Sequence, residues 1–387
     1  MIRNIVTGLD LGTSYIRVVV AEYRTGNKIP KILSLTKTPV KGFRRGYILN
    51  FDEALESLQE AKKEAERNSG LKIKRVVLGV GGITLESKTS EGGTVISRAD
   101  SEITDIDINR SVVVAENSLS DHQNKTIIHR FPLSYKIDSK KIIGQPLGLK
   151  GTKLETKTLF VIMASQHYKE ITALVEAGGL WIEDVIAAPL ASSLSTLNRL
   201  QKVSGCVLVD IGSQTTSMVV FEESLPVFLK VLPIGSNDIT NDIALGFKID
   251  PREAEIVKLG EKDISGSKKK LEEIIQARLS DIFESVENHL KKLGRSGLLP
   301  GGVIITGGGS LITNIEELTK EYFKIPAQLA QENIRLSSKG QIVDIGYSVA
   351  YGLCLAGSSS EPEESLGLKF SRETSNKFIK WLKNLWP

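Results

Sequence analysis

The chain opens with two apolar runs separated by a short polar turn. Ile5, Val6 and Leu9 lead into Asp10-Leu11-Gly12-Thr13-Ser14, and Ile16, Val18, Val19 and Val20 lead out. Short runs rich in β-branched residues around a glycine-containing turn predict the two strands of a hairpin. Gly12 permits a backbone that a Cβ resists, and Thr13 and Ser14 bring hydroxyls and N–H groups to the tip. Two readings fit: an ordinary hairpin, or a turn that cradles a phosphate while Asp10 addresses a metal bound to it. Two hundred residues on, the pattern returns as CVLVDIGSQTTSMVVF, Cys206 to Phe221. Asp210 and Gly212 again close an apolar strand, Thr215 and Thr216 supply hydroxyls, and Met218, Val219 and Val220 run out. An internal repeat weighs more than one glycine motif. It favours two hairpins that grip phosphates from opposite sides, with Asp10 and Asp210 holding Mg²⁺ through water.

Elsewhere the apolar period is helical. Asp52–Asn68 brings Leu55, Leu58, Ala61, Lys62 and Ala65 to one side. Ile108, Val112, Ala115 and Leu119 share a face of the segment DSEITDIDINRSVVVAENSL. In Lys270–Leu293 the core positions are Ile274, Ile275, Leu279, Ile282, Phe283, Val286 and Leu290. The run Lys268–Lys270 before it marks an exposed loop or a helix start. Gly301–Leu318 reads as strand, three glycines, helix. Gly307, Gly308 and Gly309 leave room for a flat base against backbone. Thr313 or Asn314 can cap the helix, with Glu316 and Glu317 favoured in its first turn. Glu255 and Lys258 lie three apart on a predicted helix and share a face. They read as a solvated surface ion pair or as groups that reach a ribose and base.

Composition narrows the classes. The chain has 387 residues, 41% hydrophobic and 25% charged, with a net charge of +4. That is a globular chain of two to three domains, and its charge is too small to argue for nucleic acid. Cys206 and Cys354 each sit in an apolar run, as buried thiols of a reducing compartment do. His122, His129, His167 and His289 show no metal-ligand spacing. Neither a Gly-x-Ser-x-Gly elbow nor a Cys–His pair points to covalent catalysis. The N-terminus has no signal-peptide core, and no apolar run approaches the roughly 20 residues of a membrane span. These features predict a cytoplasmic protein.

The two turns, the Glu255–Lys258 helix and the three glycines stand in an order that resembles the actin-like ATPase superfamily. The segment after Val80 narrows the resemblance. It is strand-rich, then helical, and ends in HRFPLSYKIDSKKIIGQPLGLKGTKLETKTLFVIMA, with Pro146, Gly148, Gly151, Leu154 and Glu155 in a Pro-x-Gly-x-x-Gly-x-x-Leu-Glu pattern. This pattern, GGLWIEDVIAAPLASSLSTL and PIGSNDITNDIALGF resemble the FtsA bacterial division family. The resemblance implies a two-lobed α/β actin-like fold with an inserted subdomain. It implies ATP and Mg²⁺ as ligands, with Gly235 among the nucleotide contacts. It also implies the FtsZ C-terminal peptide, further copies of the chain and later division proteins as partners. Arg278 and its neighbours are the expected FtsZ-binding region, and the insert is the expected surface for neighbouring subunits and later division proteins.

Two departures from the family pattern bear on chemistry. Ser213 and Gln214 stand where glycines are usual, so side chains stand where N–H groups would approach phosphate. Ala188 precedes Pro189 where fast ATPases of the superfamily often carry a glutamate, and alanine cannot orient water. Both suit a slow ATPase or a nucleotide-bound switch.

The expected organisation is a first lobe of residues 1–82 and 164–203, an insert of 83–163, and a second lobe of 204–357 with a helical part at about 236–300. A polar linker at 358–373 and a terminal helix at 374–387 complete it. On that helix Phe378, Ile379, Trp381, Leu382, Leu385 and Trp386 fall within an arc of roughly 160°, with Lys377, Lys380 and Lys383 opposite. This pattern predicts a surface anchor for anionic lipid on the cytoplasmic face of the membrane. One such helix binds membrane only marginally, so clustering of copies is expected to strengthen it. The competing readings are a PilM-type pilus-assembly ATPase of the same family and a sugar kinase. The kinase reading lacks a carboxylate base.

Overall fold

The computed structural model describes residues 4–24, 29–120, 123–264, 267–330 and 344–357. The polar linker and terminal helix expected beyond Gly357 lie outside the described residues, as does His122.

The first lobe begins with an antiparallel meander, β1 (Asn4–Leu11), β2 (Tyr15–Tyr23) and β3 (Lys31–Pro39). A two-strand ribbon follows, β4 (Phe43–Arg44) and β5 (Tyr47–Ile48), then α1 (Phe51–Ser69) and β6 (Arg75–Val80). Helix α1 starts at Asn50, whose side chain accepts from the Glu53 N–H, and ends at left-handed Gly70. Of the predicted face it buries Leu58, Ala61 and Ala65, with Ala54 in addition; Leu55 and Lys62 are half-buried, and Lys62 Nζ donates to the Gly178 and Gly179 carbonyls.

The insert comprises β7 (Glu86–Val95), α2 (Asp105–Asn117), β8 (Lys125–Ile137), β9 (Lys140–Ile142) and β10 (Lys153–Ala164). Helix α2 lies directly on β7: a Cβ at Gly92 would fall 2.1 Å from the Ala115 nitrogen. The chain returns to the first lobe through α3 (Ser165–Ala177), β11 (Trp181–Ala187), α4 (Ala188–Thr196) and the short α5 (Arg199–Ser204).

The second lobe repeats the plan. It contains β12 (Cys206–Ile211), β13 (Thr216–Glu222), β14 (Leu225–Leu232), α6 (Ser236–Phe247), α7 (Pro251–Lys258), α8 (Lys268–Lys292) and β15 (Gly302–Thr306). A 3₁₀ turn at Gly308–Leu311, α9 (Ile315–Phe323), β16 (Ala327–Leu329) and α10 (Ser348–Gly357) complete the described chain. The lysine run 268–270 is the first turn of α8.

The two sheets have one topology. In the first the order is β11-β6-β1-β2-β3, and in the second β16-β15-β12-β13-β14. In each, the hairpin is antiparallel and the two pairings on its other side, β1–β6–β11 and β12–β15–β16, are parallel. The repeat inferred from the two Asp–Gly turns is thus a duplicated sheet. The second sheet then continues through the insert, β14-β7-β10-β8-β9. The junction is narrow: one residue pair, Lys230 with Glu86, with the Ser87 hydroxyl bonded to both the N–H and the carbonyl of Leu229.

One expected boundary needs correcting. Helix α10 follows the second lobe in sequence but packs on the first. Its Ala350 carbonyl would lie 2.1 Å from a Cβ at Gly8, and a Cβ at Gly352 would lie 1.9 Å from the Ala191 carbonyl of α4. Tyr23 Oη donates to the Cys354 carbonyl at 3.1 Å. The second lobe therefore ends before α10. An apolar helix carries no mark of which sheet it will cover, so its sequence neighbours misled.

Candidate functional site

The two turns face each other and touch. Ser14 Oγ donates to Ser213 Oγ at 2.6 Å, bridging the lobes. Each turn is tight enough to require its glycine: a Cβ would fall 2.7 Å from the Tyr15 carbonyl at Gly12 and 2.8 Å from the Thr215 carbonyl at Gly212. The second turn is held from behind by the start of α6. The Ser236 and Asn237 N–H groups donate to the Gly212 and Ser213 carbonyls at 2.9 and 2.7 Å. Gly235 presses on the same turn, leaving 2.5 Å between a Cβ and the Ser213 carbonyl. Gly307, at φ +84°, abuts Asp210 Oδ1, and Gly309 abuts Ile211. Gly308 faces open space. The three glycines therefore do different jobs: two fit the second turn and one leaves a bare surface beside it.

The departures at 213 and 214 are accommodated. Ser213 forms the bridge to Ser14, and Gln214 Oε1 accepts the Arg45 N–H at 2.8 Å, reaching across to the ribbon of the first lobe. That ribbon is fixed by His167. Its Nε2 is 2.7 Å from the Gly46 carbonyl, its Nδ1 2.8 Å from Thr84 Oγ1, and its ring stacks on Tyr47. His129 and His289 are likewise structural, bonded to the Ala187 N–H and the Ser285 carbonyl.

Asp10 and Asp210 occupy matching positions on β1 and β12. Burial raises the Asp10 carboxyl to about 6, against the pull of Arg17 and with a further rise from Asp210. Burial also raises Asp210 to about 6, opposed by Arg17 and by a hydrogen bond from Ser192. Arg17 lies directly opposite Asp10 in the hairpin, and its buried Nε has no hydrogen-bond partner among the described residues. Two buried carboxyls with raised pKa and a cation with an unspent donor are what a hydrated divalent ion and an anion beside it would satisfy. The donor set fits a metal–polyphosphate.

Sequence reasoning missed Arg17 and Ser192. Arg17 was legible, since it and Asp10 are equidistant from the turn centre and so share a sheet face. Ser192 was not: it reaches the site from α4, and its hydroxyl also lies 3.2 Å from Ser348 Oγ on α10.

Other predicted residues sit differently. Thr13, Ser14 and Thr215 lie at the partly exposed turn tips. Thr216 is buried and its hydroxyl donates to the Ile234 carbonyl at 2.8 Å, so it supports the turn from inside. Lys258 is not a solvated surface lysine. It is buried, with Nζ 2.6 Å from Glu255 Oε2, 2.9 Å from Thr240 Oγ1 and 3.3 Å from the Ser236 carbonyl. It locks α7 to α6, whereas Glu255 stays half exposed. Asn314 occupies the N-cap position of α9 with a left-handed backbone and no side-chain cap bond. Arg278 forks onto Asp242 at 2.6 and 3.1 Å and reaches Asp281 at 3.1 Å, which ties α8 to α6. Ala188 faces Gly81, 3.7 Å from a Cβ placed there.

Comparison with known proteins supplies the wider setting. The family model described as cell division protein FtsA matches residues 207–352. A second, described as the SHS2 domain inserted in FtsA, matches residues 82–162. Cell division protein FtsA of Borreliella burgdorferi is 29% identical over 381 residues, covering 92% of this chain and 91% of its own. That of Pseudomonas aeruginosa is 28% identical over 380 residues, covering 92% and 89%. Among solved structures, the PilM–PilN type IV pilus biogenesis complex superposes with a TM-score of 0.66 at 18% identity, covering 91% of this chain and 98% of that one. MreB5 of Spiroplasma citri bound to ADP gives 0.52 at 14% identity, covering 91% and 95%. These two likenesses establish the actin-like fold.

Proposed function

The chain belongs to the FtsA family of cell division proteins, and from that premise we propose that it is an ATP-binding adaptor that tethers FtsZ filaments to the cytoplasmic face of the membrane. The observation that carries the nucleotide part is the facing pair of turns bridged by Ser14 and Ser213, with Asp10 and Asp210 behind them. In this reading Gly12–Ser14 and Gly212–Thr215 hold the phosphates and Arg17 offsets their charge. Asp10 and Asp210 hold Mg²⁺ through water, and Gly308 gives the base its surface. A bound metal would supply positive charge that stabilises both buried carboxylates. Ala188 presents no carboxylate to orient water, so turnover is slow and the nucleotide acts chiefly as a switch.

The FtsZ C-terminal peptide is assigned to the outer helical part of the second lobe, α6 to α8. Arg278 contributes there by fixing the groove between these helices, since its charge is already matched. Self-association and later division proteins are assigned to the insert, which exposes Ile106, Val113, Ile143 and Leu147. The membrane contact is assigned, from sequence, to Phe378–Trp386.

The metal reading has a pH signature. Raised carboxyl pKa values mean that the ligand-free fold holds these two protons more tightly than the unfolded chain does. Their contribution to stability is therefore full below the ordinary value of 3.8 and is lost as pH rises through about 6. Metal binding has the opposite sign, because it needs both groups ionised. At saturating ATP, Mg²⁺ is expected to raise the melting temperature at pH 7.5 and to lose that effect below pH 6. A Mg²⁺-dependent shift equal at pH 7.5 and pH 5 would remove the two aspartates from the metal site.

The membrane part is tested by co-sedimentation with anionic vesicles, comparing the full chain with one ending at Glu373. Only the full chain is expected to pellet. If neither pellets at low salt, the terminal helix serves a protein partner and the PilM-like reading gains.

A further inference from the structure

A broad cleft lies far from the nucleotide turns. It is a cleft of about 1120 Å³ at the base of the first lobe, between α1, the loop before β6 and the start of β11. Its floor is apolar, from Ile73, Leu180 and Ile182, and at its rim Trp181 is 72% exposed. Four lysines line it. Lys62 is spent on the Gly178 and Gly179 carbonyls and Lys72 on Glu66 at 3.0 Å. Lys63 and Lys74 are exposed and make no ion pair among the described residues. Of the two lining carboxylates, Glu66 is already paired, which leaves Glu176 against two free ammonium groups. A concave site with free cations and an exposed indole suits an extended acidic segment with apolar residues better than a flat lipid surface.

The sequence carries such a segment directly after α10. Helix α10 ends at Gly357, where a Cβ would fall 2.6 Å from Val6 and 3.0 Å from Val77. Val77 is on β6, next to β11, in the strand whose first residue, Arg75, pairs with Trp181. From Val77 the position of Trp181 is two residues back along β6 and one strand across, about 8 Å in all. Ser358–Ser360 can span about 10 Å when extended. Beyond them, Glu361, Glu363 and Glu364, then Leu366 and Leu368, match the free lysines and the exposed indole in kind.

We infer that the acidic segment Glu361–Glu364 docks in this cleft of its own chain, against Lys63, Lys74 and Trp181. Docking holds the root of the tail against the first lobe and shortens the reach of the residues beyond Glu364. It thus makes delivery of the terminal segment dependent on competition for two lysines. The docking stands independently of the membrane reading, since its test contains no lipid in its first arm.

The test is zero-length carbodiimide cross-linking of the full chain, with linked peptides identified by mass spectrometry. Lys63 or Lys74 is expected to join Glu361, Glu363 or Glu364 within one chain. The linkage is expected to be lost in the variant with all three glutamates changed to glutamine, and to weaken in high salt. The Lys72–Glu66 pair, 3.0 Å apart, is the internal positive control. Formation of the control linkage without the tail linkage overturns the proposal. So does a tail linkage found only between copies in a mixture of heavy and light chains, which would assign the cleft to a second molecule. In a second arm, anionic vesicles that shield Lys63 and Lys74 from acetylation in the glutamine variant, where the full chain shows no tail linkage, overturn it in favour of a lipid surface.

Discussion

A chain carrying Asp210→Asn is expected to lose Mg²⁺-dependent nucleotide binding by on the order of 100-fold, the scale seen when a group orienting a metal's ligands is removed. Its ligand-free fold should nevertheless be at least as stable as the parent at pH 7.5. The substitution keeps the shape and can still accept from Ser192, but it removes a carboxylate whose burial lifts its pKa from 3.8 to about 6. Relief of that penalty is worth about 1–3 kcal/mol. The two signs together separate a binding role from a structural one. Calorimetric titration with Mg-ATP and a thermal melt without ligand measure them. A variant that melts lower and still binds tightly would overturn the assignment of the second turn. Asp10→Asn should behave alike, because burial likewise raises its carboxyl to about 6.

Gly352→Ala is expected to destabilise the fold by about 3 kcal/mol or more, roughly 10 °C in melting temperature. In an exposed helix the same change would stabilise by up to about 1 kcal/mol. The sign reverses here because the new Cβ would lie 1.9 Å from the Ala191 carbonyl and 2.6 Å from its carbon. Those are backbone atoms of α4, so no rotamer change relieves the clash and the two helices must separate. Since α4 also carries Ser192 to Asp210, nucleotide affinity should fall with stability. Gly308→Ala is the control: nothing lies within 4 Å of its Cβ position, and stability should stay within about 0.5 kcal/mol. Equal melting temperatures for both variants would show that α10 is not held as described.

What the sequence made legible divides along physical lines. Local chemistry was readable: a glycine between two β-branched runs specifies its own turn, and its repetition specified the duplicated sheet. Helix α8 was readable because Leu279, Ile282, Phe283, Val286 and Leu290 keep one period, and all five are buried. Features created by tertiary approach were not. Lys258 reads as a surface lysine by its neighbours, and only the packing of α7 on α6 buries it. Thr216 reads like Thr215, one residue away, but strand alternation turns it inward. Gln214 reads as an obstacle to phosphate, and its length instead carries its carbonyl to Arg45. The apolar sequence of α10 announces burial without naming the sheet it will cover.

The short ladder between β14 and β7 is only the visible part of how the insert is held. The insert is covalently rooted in the first lobe at both ends, yet its sheet is hydrogen-bonded to the second lobe through Lys230, Glu86, Ser87 and Leu229. Behind that seam Phe131 of β8 and Leu159, Val161 and Met163 of β10 lie in the same core as Ile186, Leu229 and Val231, and the Ala187 N–H donates to His129. The base of the insert is thus a keystone set between the two halves of the molecule, and a substitution that loosens it loosens the seating of both.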